Sequence, residues 1–270
     1  CPVETFARFP IRFIVEFYRN HGLLNIRNRP TWRVITGGSR NYVSALARRF
    51  NGTIHLRTPI VQVRRRSDRV ELTPGDAQPL RFDHVVFACH SDQAMRMLAD
   101  ASPVEREVLS EFPYERNVAV LHTDASILPR RRRAWVSWNY RIPHHRKLFI
   151  TDETNDQPSK VSVTYCMNIL QNIRSRHVFN VTLNGEDDID PSRILGRYVY
   201  EHPIFTTRRA SAQARHHELI NVNRTSFCGA YWRNGFHEDG VVSALEVCEV
   251  LNRSVGNVRG DAGVTNGSPV

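Results

Sequence analysis

The sequence predicts an α/β (α+β mixed) chain, and three observations carry that reading. First, a strand-like run, a small or polar corner and an amphipathic helix recur at 32–50, 84–99 and 225–251. Second, residues 100–210 show short alternating runs rich in aromatic and β-branched residues, with few helical patterns, which reads as an antiparallel sheet. Third, 41% hydrophobic and 24% charged residues over 270 positions is globular composition, which excludes whole-chain disorder, collagen and coiled coil.

The first element is an amphipathic helix. Phe6, Phe9, Phe13, Ile14 and Phe17 recur at helical spacing among Arg8, Arg12, Glu16 and Arg19, and Gly22 is a stop signal. Such a stripe reads as core, with the lining of an apolar ligand cavity as the alternative. Trp32–Ile35 reads as a short strand, Thr36-Gly37-Gly38-Ser39 as a turn, and Val43, Leu46, Ala47 and Phe50 as the face of a second helix that Ser39 would cap.

Strands follow at Thr53–Leu56, Ile60–Val63 and Val70–Thr73. A further strand, His84–Cys89, ends at the polar corner His90-Ser91-Asp92 and feeds a helix carrying Ala94, Met95, Leu98 and Ala99. Ligands of open α/β sheets bind beyond the carboxyl ends of such strands. Residues 103–111 read as a helix. Ala119–Thr123, Ala134–Tyr140, Val161–Tyr165 and Phe179–Leu183 read as strands, whose Trp135, Trp138 and Tyr140 serve sheet packing or ligand stacking. Ser226–Gly229, a Gly-rich loop through Gly240 and a helix bearing Val241, Ala244, Leu245, Cys248 and Leu251 close the ordered part. Residues 254–270, rich in Gly, Asn, Asp and Ser, read as a disordered tail.

The net charge of +10 comes almost wholly from arginine, since Lys147 and Lys160 are the only lysines. So lopsided a ratio fits biased codon usage better than a phosphate-binding surface, where Lys serves well. No nucleic-acid partner is expected. The runs Arg64–Arg66 and Arg130–Arg133 leave room for peripheral contact with an anionic membrane. Five cysteines without a C-x-x-C pair make no disulfide framework and point to a reducing, cytoplasmic setting. Twelve histidines include the adjacent pairs His144-His145 and His216-His217, but no zinc spacing, so no metal is expected. The opening Cys1-Pro2, with neither initiator Met nor targeting pattern, reads as the start of a piece of a longer protein.

Several stretches together resemble the flavin-containing amine oxidoreductase family, in particular its bacterial NAD/FAD-binding branch. They are N-H-G-L-L at 20–24 with R-P-T-W-R-V-I-T-G-G-S at 29–39; T-P-I-V-Q-V at 58–63 with F-D-H-V-V-F-A-C-H-S-D-Q-A at 82–94; and F-C-G-A-Y-W-R-N-G-F-H-E-D-G at 227–240. N-V-A-V-L-H-T-D at 117–124 and W-V-S-W-N-Y at 135–140 extend the likeness from Phe6 to about Leu251. The resemblance implies an incomplete FAD-binding Rossmann-like domain with an inserted antiparallel-sheet substrate domain. Its parts would be 1–30 (helical part of the substrate domain), 31–99 (FAD-domain segment), 100–215 (substrate domain) and 216–253 (C-terminal FAD-domain segment).

It also implies site residues. Ile60 would hold the adenine through its backbone, and Cys89 and His90 would run past the adenosine. Gly229 and Ala230 would approach the phosphates and ribityl chain. Phe236 and His237 would offer backbone N–H groups to the flavin ring. Ser39, Asn41 and Trp138 would border the cavity of a small, apolar substrate. The family's G-x-G-x-x-G turn is absent from the 270 residues, so the later parts of an FAD site are expected here. Residues 117–124 contain no Lys, and Phe236 stands where a Tyr-Tyr amine cage would need tyrosine. The reaction implied is hydride transfer from an organic substrate to flavin N5, desaturase-like at least as readily as amine oxidation, with no side chain compelled as acid or base. The isolated chain is expected to bind FAD weakly or not at all and to be inactive. The reading from another class is a non-catalytic cationic module for anionic lipid or nucleic acid; a family member complete in fold but without chemistry is a third.

Overall fold

The computed structural model describes residues 9–28, 30–31, 33–75, 77–142 and 161–261, with side chains to 254. Phe6, Trp32, His144-His145 and residues 262–270 lie outside that set. The chain divides into two compact units. One joins Cys1–Thr53 to Tyr114–His202, and the other joins Ile54–Pro113 to Pro203–Val270. These bounds differ from the expected segments, which grouped 31–53 with 54–99, and both 100–113 and 203–215 with the sheet.

The first unit carries helices α1 (Ile11–Asn20) and α2 (Arg40–Arg49). Gly22 ends α1 as expected: its φ of 63° is left-handed, and its N–H donates to Arg19 O. The phenylalanine stripe is not core, because neither helix contains a buried residue. The expected strand before α2 is absent at 33–35, as is the strand at 53–56. Gly37 and Gly38 take positive φ, and Asn41 Nδ2 donates to Thr36 O across that turn.

The sheet of this unit has the order β6-β7-β8-β5-β9, with β5 Tyr114–His122, β6 Trp138–Arg141, β7 Ser162–Cys166, β8 Asn180–Leu183 and β9 Ile194–Pro203. The pairs β6/β7, β7/β8 and β8/β5 are antiparallel. Strand β6 is shorter than expected because Arg132–Ala134 forms a 3₁₀ turn instead, and β9 had no counterpart in the sequence reading. A four-residue helical turn, α5 (Met167–Leu170), leaves β7.

This sheet buries its polar face. Asn139, Ser162, Thr164, Asn180, Thr182 and His122 are buried, whereas Trp138, Tyr140, Val163, Tyr165, Val181 and Leu183 on the other face are half-buried or exposed. His122, Thr182, Thr164 and Asn180 are hydrogen-bonded through their side chains, which is what makes their burial tolerable. Asp124 N–H donates to His122 Nδ1 (3.2 Å), which leaves the His122 proton on Nε2, facing Thr182 Oγ1 at 2.8 Å. Thr182 Oγ1 lies 2.9 Å from Thr164 Oγ1, and Asn180 Nδ2 donates to Asp124 O. Burial opposes ionisation of Asp124. The N–H of Asp190 and the hydroxyl and N–H of Ser126 outweigh it and hold that carboxyl below its ordinary value.

Burial lowers His122, partly offset by Asp124, so the folded chain holds a neutral imidazole there. The unfolded chain protonates this histidine near its ordinary value of about 6.5. Stability from this site is therefore complete above about pH 6.5 and is lost as the pH falls below it. Denaturation midpoints between pH 7.5 and 5.5 should fall with acid, at most about 1.4 kcal/mol per pH unit from this group. His122→Asn should flatten that limb; an unchanged slope in the variant would contradict the assignment.

The second unit holds a three-stranded antiparallel sheet, β1 (Ile60–Arg65), β2 (Val70–Pro74) and β3 (Leu80–Phe82). It also holds a parallel pair, β4 (Val85–Phe87) with β10 (Thr225–Phe227). Helices α3 (Ser91–Met97) and α4 (Pro103–Leu109) follow β4, and α6 (Arg209–Ala214) and α7 (His237–Asp261) flank β10. Ser102 caps α4 in a reciprocal box with Glu105. Helix α7 runs to Asp261, eight residues past Arg253, so residues 254–261 are helical rather than tail.

Candidate functional site

The structure divides the residues singled out in the sequence between the units. Ile60, Cys89, His90, Gly229, Ala230, Phe236 and His237 lie in the second unit, and Ser39, Asn41 and Trp138 in the first.

The second unit's site is built on the β4/β10 pair. Phe87 and Phe227 are in register and stack at 4.9 Å, both buried, so the two strands end side by side. Cys228 N–H extends the ladder to Phe87 O. Beyond it, Gly229 adopts φ 155° and ψ 162°, a region that is essentially glycine's alone. A Cβ there would stand 2.6 Å from the Tyr231 ring. Ser243 on α7 clamps this residue: Gly229 N–H donates to Ser243 Oγ at 2.9 Å, and the hydroxyl faces Gly240 O at 2.9 Å and Gly229 O at 3.1 Å. The Gly229 N–H is thus already used. The N–H of Ala230 has no partner among the described residues, and it faces Gly240 on the first turns of α7.

The rest of the loop is held from α6. Arg209 Nη2 donates to Tyr231 O and Arg233 O, and its guanidinium lies 4.0 Å from the Phe205 ring centroid. Gln213 Nε2 donates to the same two carbonyls. Tyr231 and Trp232 pack on Phe112, and Trp232 stacks on His216 at 4.1 Å. His216 faces Phe227 O through Nε2 and Glu246 through Nδ1, and Arg233 holds the other Glu246 oxygen. Burial opposes ionisation of Glu246, but Arg233 and His216 outweigh it and lower its carboxyl. A cleft of about 370 Å³ opens here, lined by His216, Trp232, Arg233, Asp239 and Glu246 among others.

At the start of α7, Phe236 N–H donates to Asp239 Oδ2 at 2.8 Å, so the backbone donor expected of Phe236 is taken by the helix's own cap. Glu238 and Asp239 already place negative charge on this N-terminus. The end therefore suits a neutral, electron-rich carbonyl better than a phosphate. Cys89 and Cys228 are thiols rather than thiolates. Burial pushes Cys89 up, and burial with the neighbouring Cys248 and Cys89 pushes Cys228 up to about 11. Ile60 opens β1 opposite Pro74, beside a bulge. His90 precedes α3, and its N–H faces Gln93 Oε1.

In the first unit, Ser39 sits at the start of α2 but has helical φ and ψ, and its side chain makes no cap bond. The Asn41 amide is spent on Thr36 O. Trp138 is 45% exposed on the apolar face of the sheet, edge-on to Tyr165 at 6.0 Å. Burial raises the phenols of Tyr140 and Tyr165, so both stay protonated at neutral pH. Sequence reasoning missed Ser243, Arg209, Gln213, His216 and Glu246. Each acts through a partner 11 to 30 residues away, and no local pattern signals that.

No helix among the described residues is long and apolar enough to cross a membrane. Direct sequence comparison with curated proteins gives no match. Among solved structures, the chain is similar to a protein assigned as a protoporphyrinogen oxidase from Exiguobacterium sp. 255-15, with TM-score 0.57 and 13% identity over 89% of this chain and 57% of that one. It is also similar to a fatty acid isomerase from P. acnes that produces CLA, with TM-score 0.50 and 10% identity over 80% of this chain and 52% of that one. The chain thus spans little more than half the length of either, and at these identities the likeness concerns the fold. The family model for flavin containing amine oxidoreductases matches residues 9–252, nearly the whole described chain, and the chain belongs to that family.

Proposed function

We propose that this chain is part of an FAD-dependent oxidoreductase, with flavin contacts on its second unit and a substrate-facing sheet on its first. The observation that carries the reading is the Gly229–Ala230 turn, set between the paired ends of β4 and β10 and the first turn of α7. The fit to a flavin nucleotide is partial and specific. Ala230 N–H is an available donor, α7 offers a helix start suited to a ring carbonyl, and Gly229 keeps the turn free of a side chain. Ile60 and the Cys89–His90 corner would hold the adenosine part.

When bound, a flavin supplies a hydride acceptor at N5. The chain's own residues orient and exclude water. Ser243, Arg209 and Gln213 fix the turn, and the stacked Phe112, Tyr231 and Trp232 keep its underside dry. The apolar face bearing Trp138 and Tyr140 suits a small, apolar organic substrate. The neutral phenols of Tyr140 and Tyr165 offer no base, in keeping with a hydride abstraction that needs none.

The 270 residues contain no G-x-G-x-x-G turn for the pyrophosphate, so weak FAD binding is expected of the chain alone. Hydrogen exchange with and without FAD tests the site. Saturating FAD should slow exchange at 229–240 and around Ile60, and leave β7 and β8 unchanged. Protection confined to other segments would overturn the assignment. Purification with stoichiometric yellow flavin would overturn the expectation of weak binding.

A further inference from the structure

Residues 9–53 carry a surface that the proposed flavin contacts do not use. Helices α1 and α2 have ten residues each and bury none of them. Helices this short are marginal in water on their own, so a helix with an uncovered apolar face gains stability from whatever covers it. On α1, Ile11, Val15 and Tyr18 form an exposed stripe. On α2, Val43, Leu46 and Phe50 do so, with Leu46 62% and Phe50 59% exposed. Between the helices, Leu23, Leu24 and Ile26 stand in solvent, Ile26 at 94%.

The charge says what covers them. From Phe17 to Thr53 the sequence has seven arginines and neither Asp nor Glu. Among the described residues, no carboxylate from elsewhere pairs with Arg40, Arg48 or Arg49. At 3.6 residues per turn, Arg40 and Arg49 flank the Val43–Leu46–Phe50 stripe on opposite sides. Arg19 and Arg27 bracket the Leu23–Ile26 loop in the same way. A nucleic acid would satisfy the arginines and leave Leu46, Phe50 and Ile26 in water. A layer of anionic headgroups above acyl chains satisfies both, with the guanidinium groups reaching up to phosphate and the aliphatic side chains dipping below it.

We propose that α1, α2 and the Leu23–Ile26 loop form a docking surface for the interface of an anionic lipid bilayer. The proposal is independent of the flavin site. It follows that this surface engages the membrane from one side, at the level of the headgroups.

Co-sedimentation of the full chain with phosphatidylcholine vesicles, with and without phosphatidylglycerol, tests it. The chain should partition onto the anionic vesicles only, and less at high salt. Arg40→Gln and Arg49→Gln should each weaken partitioning about fivefold, and Leu46→Ser severalfold. All three positions are exposed, so circular dichroism should stay unchanged. In a second measurement, Phe50→Trp should shift its emission to the blue with anionic vesicles. Equal binding to neutral vesicles, no binding, no blue shift, or binding lost only on neutralising Arg130–Arg133 would each overturn the proposal. So would displacement from the vesicles by equimolar duplex DNA.

Discussion

Arg65→Met should destabilise the second unit by about 3–5 kcal/mol, the usual cost of orphaning a buried charge. Arg65 and Glu105 are each only 5% exposed as side chains. Arg65 donates through Nη1 and Nη2 to both Glu105 oxygens, through Nε to Asp100 Oδ2, and through Nη2 to Asp100 O. It also reaches Thr225 Oγ1 at 3.2 Å. One guanidinium thus ties β1 to the start of α4 and to β10. With Met in its place, Glu105 keeps only the Ser102 cap for a carboxylate that water cannot reach. Urea denaturation of the single variant and of Arg65→Met/Glu105→Leu would separate the terms. The double variant should recover most of the loss, because an apolar pair avoids the desolvation penalty. A single-variant cost below about 1 kcal/mol would show that the pair contributes little.

Gly229→Val should be nearly as damaging, at about 2–4 kcal/mol. Backbone at φ 155° and ψ 162° costs a β-branched residue about 1–3 kcal/mol in strain. The new Cβ would also meet Tyr231 at 2.6 Å, and Tyr231 is buried against Phe112 and Trp232 with nowhere to retreat. Thermal melting would report the loss. Hydrogen exchange would localise it to Cys228–Trp232 and the first turns of α7, because the Ser243 clamp couples the two. Uniform loosening across the five-stranded sheet instead would contradict that coupling.

These positions mark where the sequence was legible. Gly229 could be singled out because a strand, a glycine and a helix follow one another within a short span. Ser243 could not, because its partner is 14 positions away and its role exists only once α7 lies along the turn. The strand expected at Val161–Tyr165 is found one residue on, as β7. The strand pattern does not say which face is inside: the hydrogen bonds of Thr164 and Thr182 make the polar side the buried one. The stripe on α1 was misread for the converse reason: helical periodicity shows that a face is apolar, not what lies against it. The Gly, Asn, Asp and Ser content beyond Arg253 reads as a tail, yet α7 continues to Asp261. Each glycine costs a helix about 1 kcal/mol, which continued hydrogen bonding overcomes.

The β4/β10 pair has a consequence for how the protein is made. Val85–Phe87 must wait for Thr225–Phe227, and 137 residues separate the two segments in the chain. During synthesis the five-stranded sheet, complete by Pro203, can form while the second unit is still half translated. Until the ribosome releases β10, the Val85–Phe87 edge stands open, a template for the wrong partner. Closing so long a loop is slow relative to local sheet formation. The same closure brings Gly229 up to the end of β4.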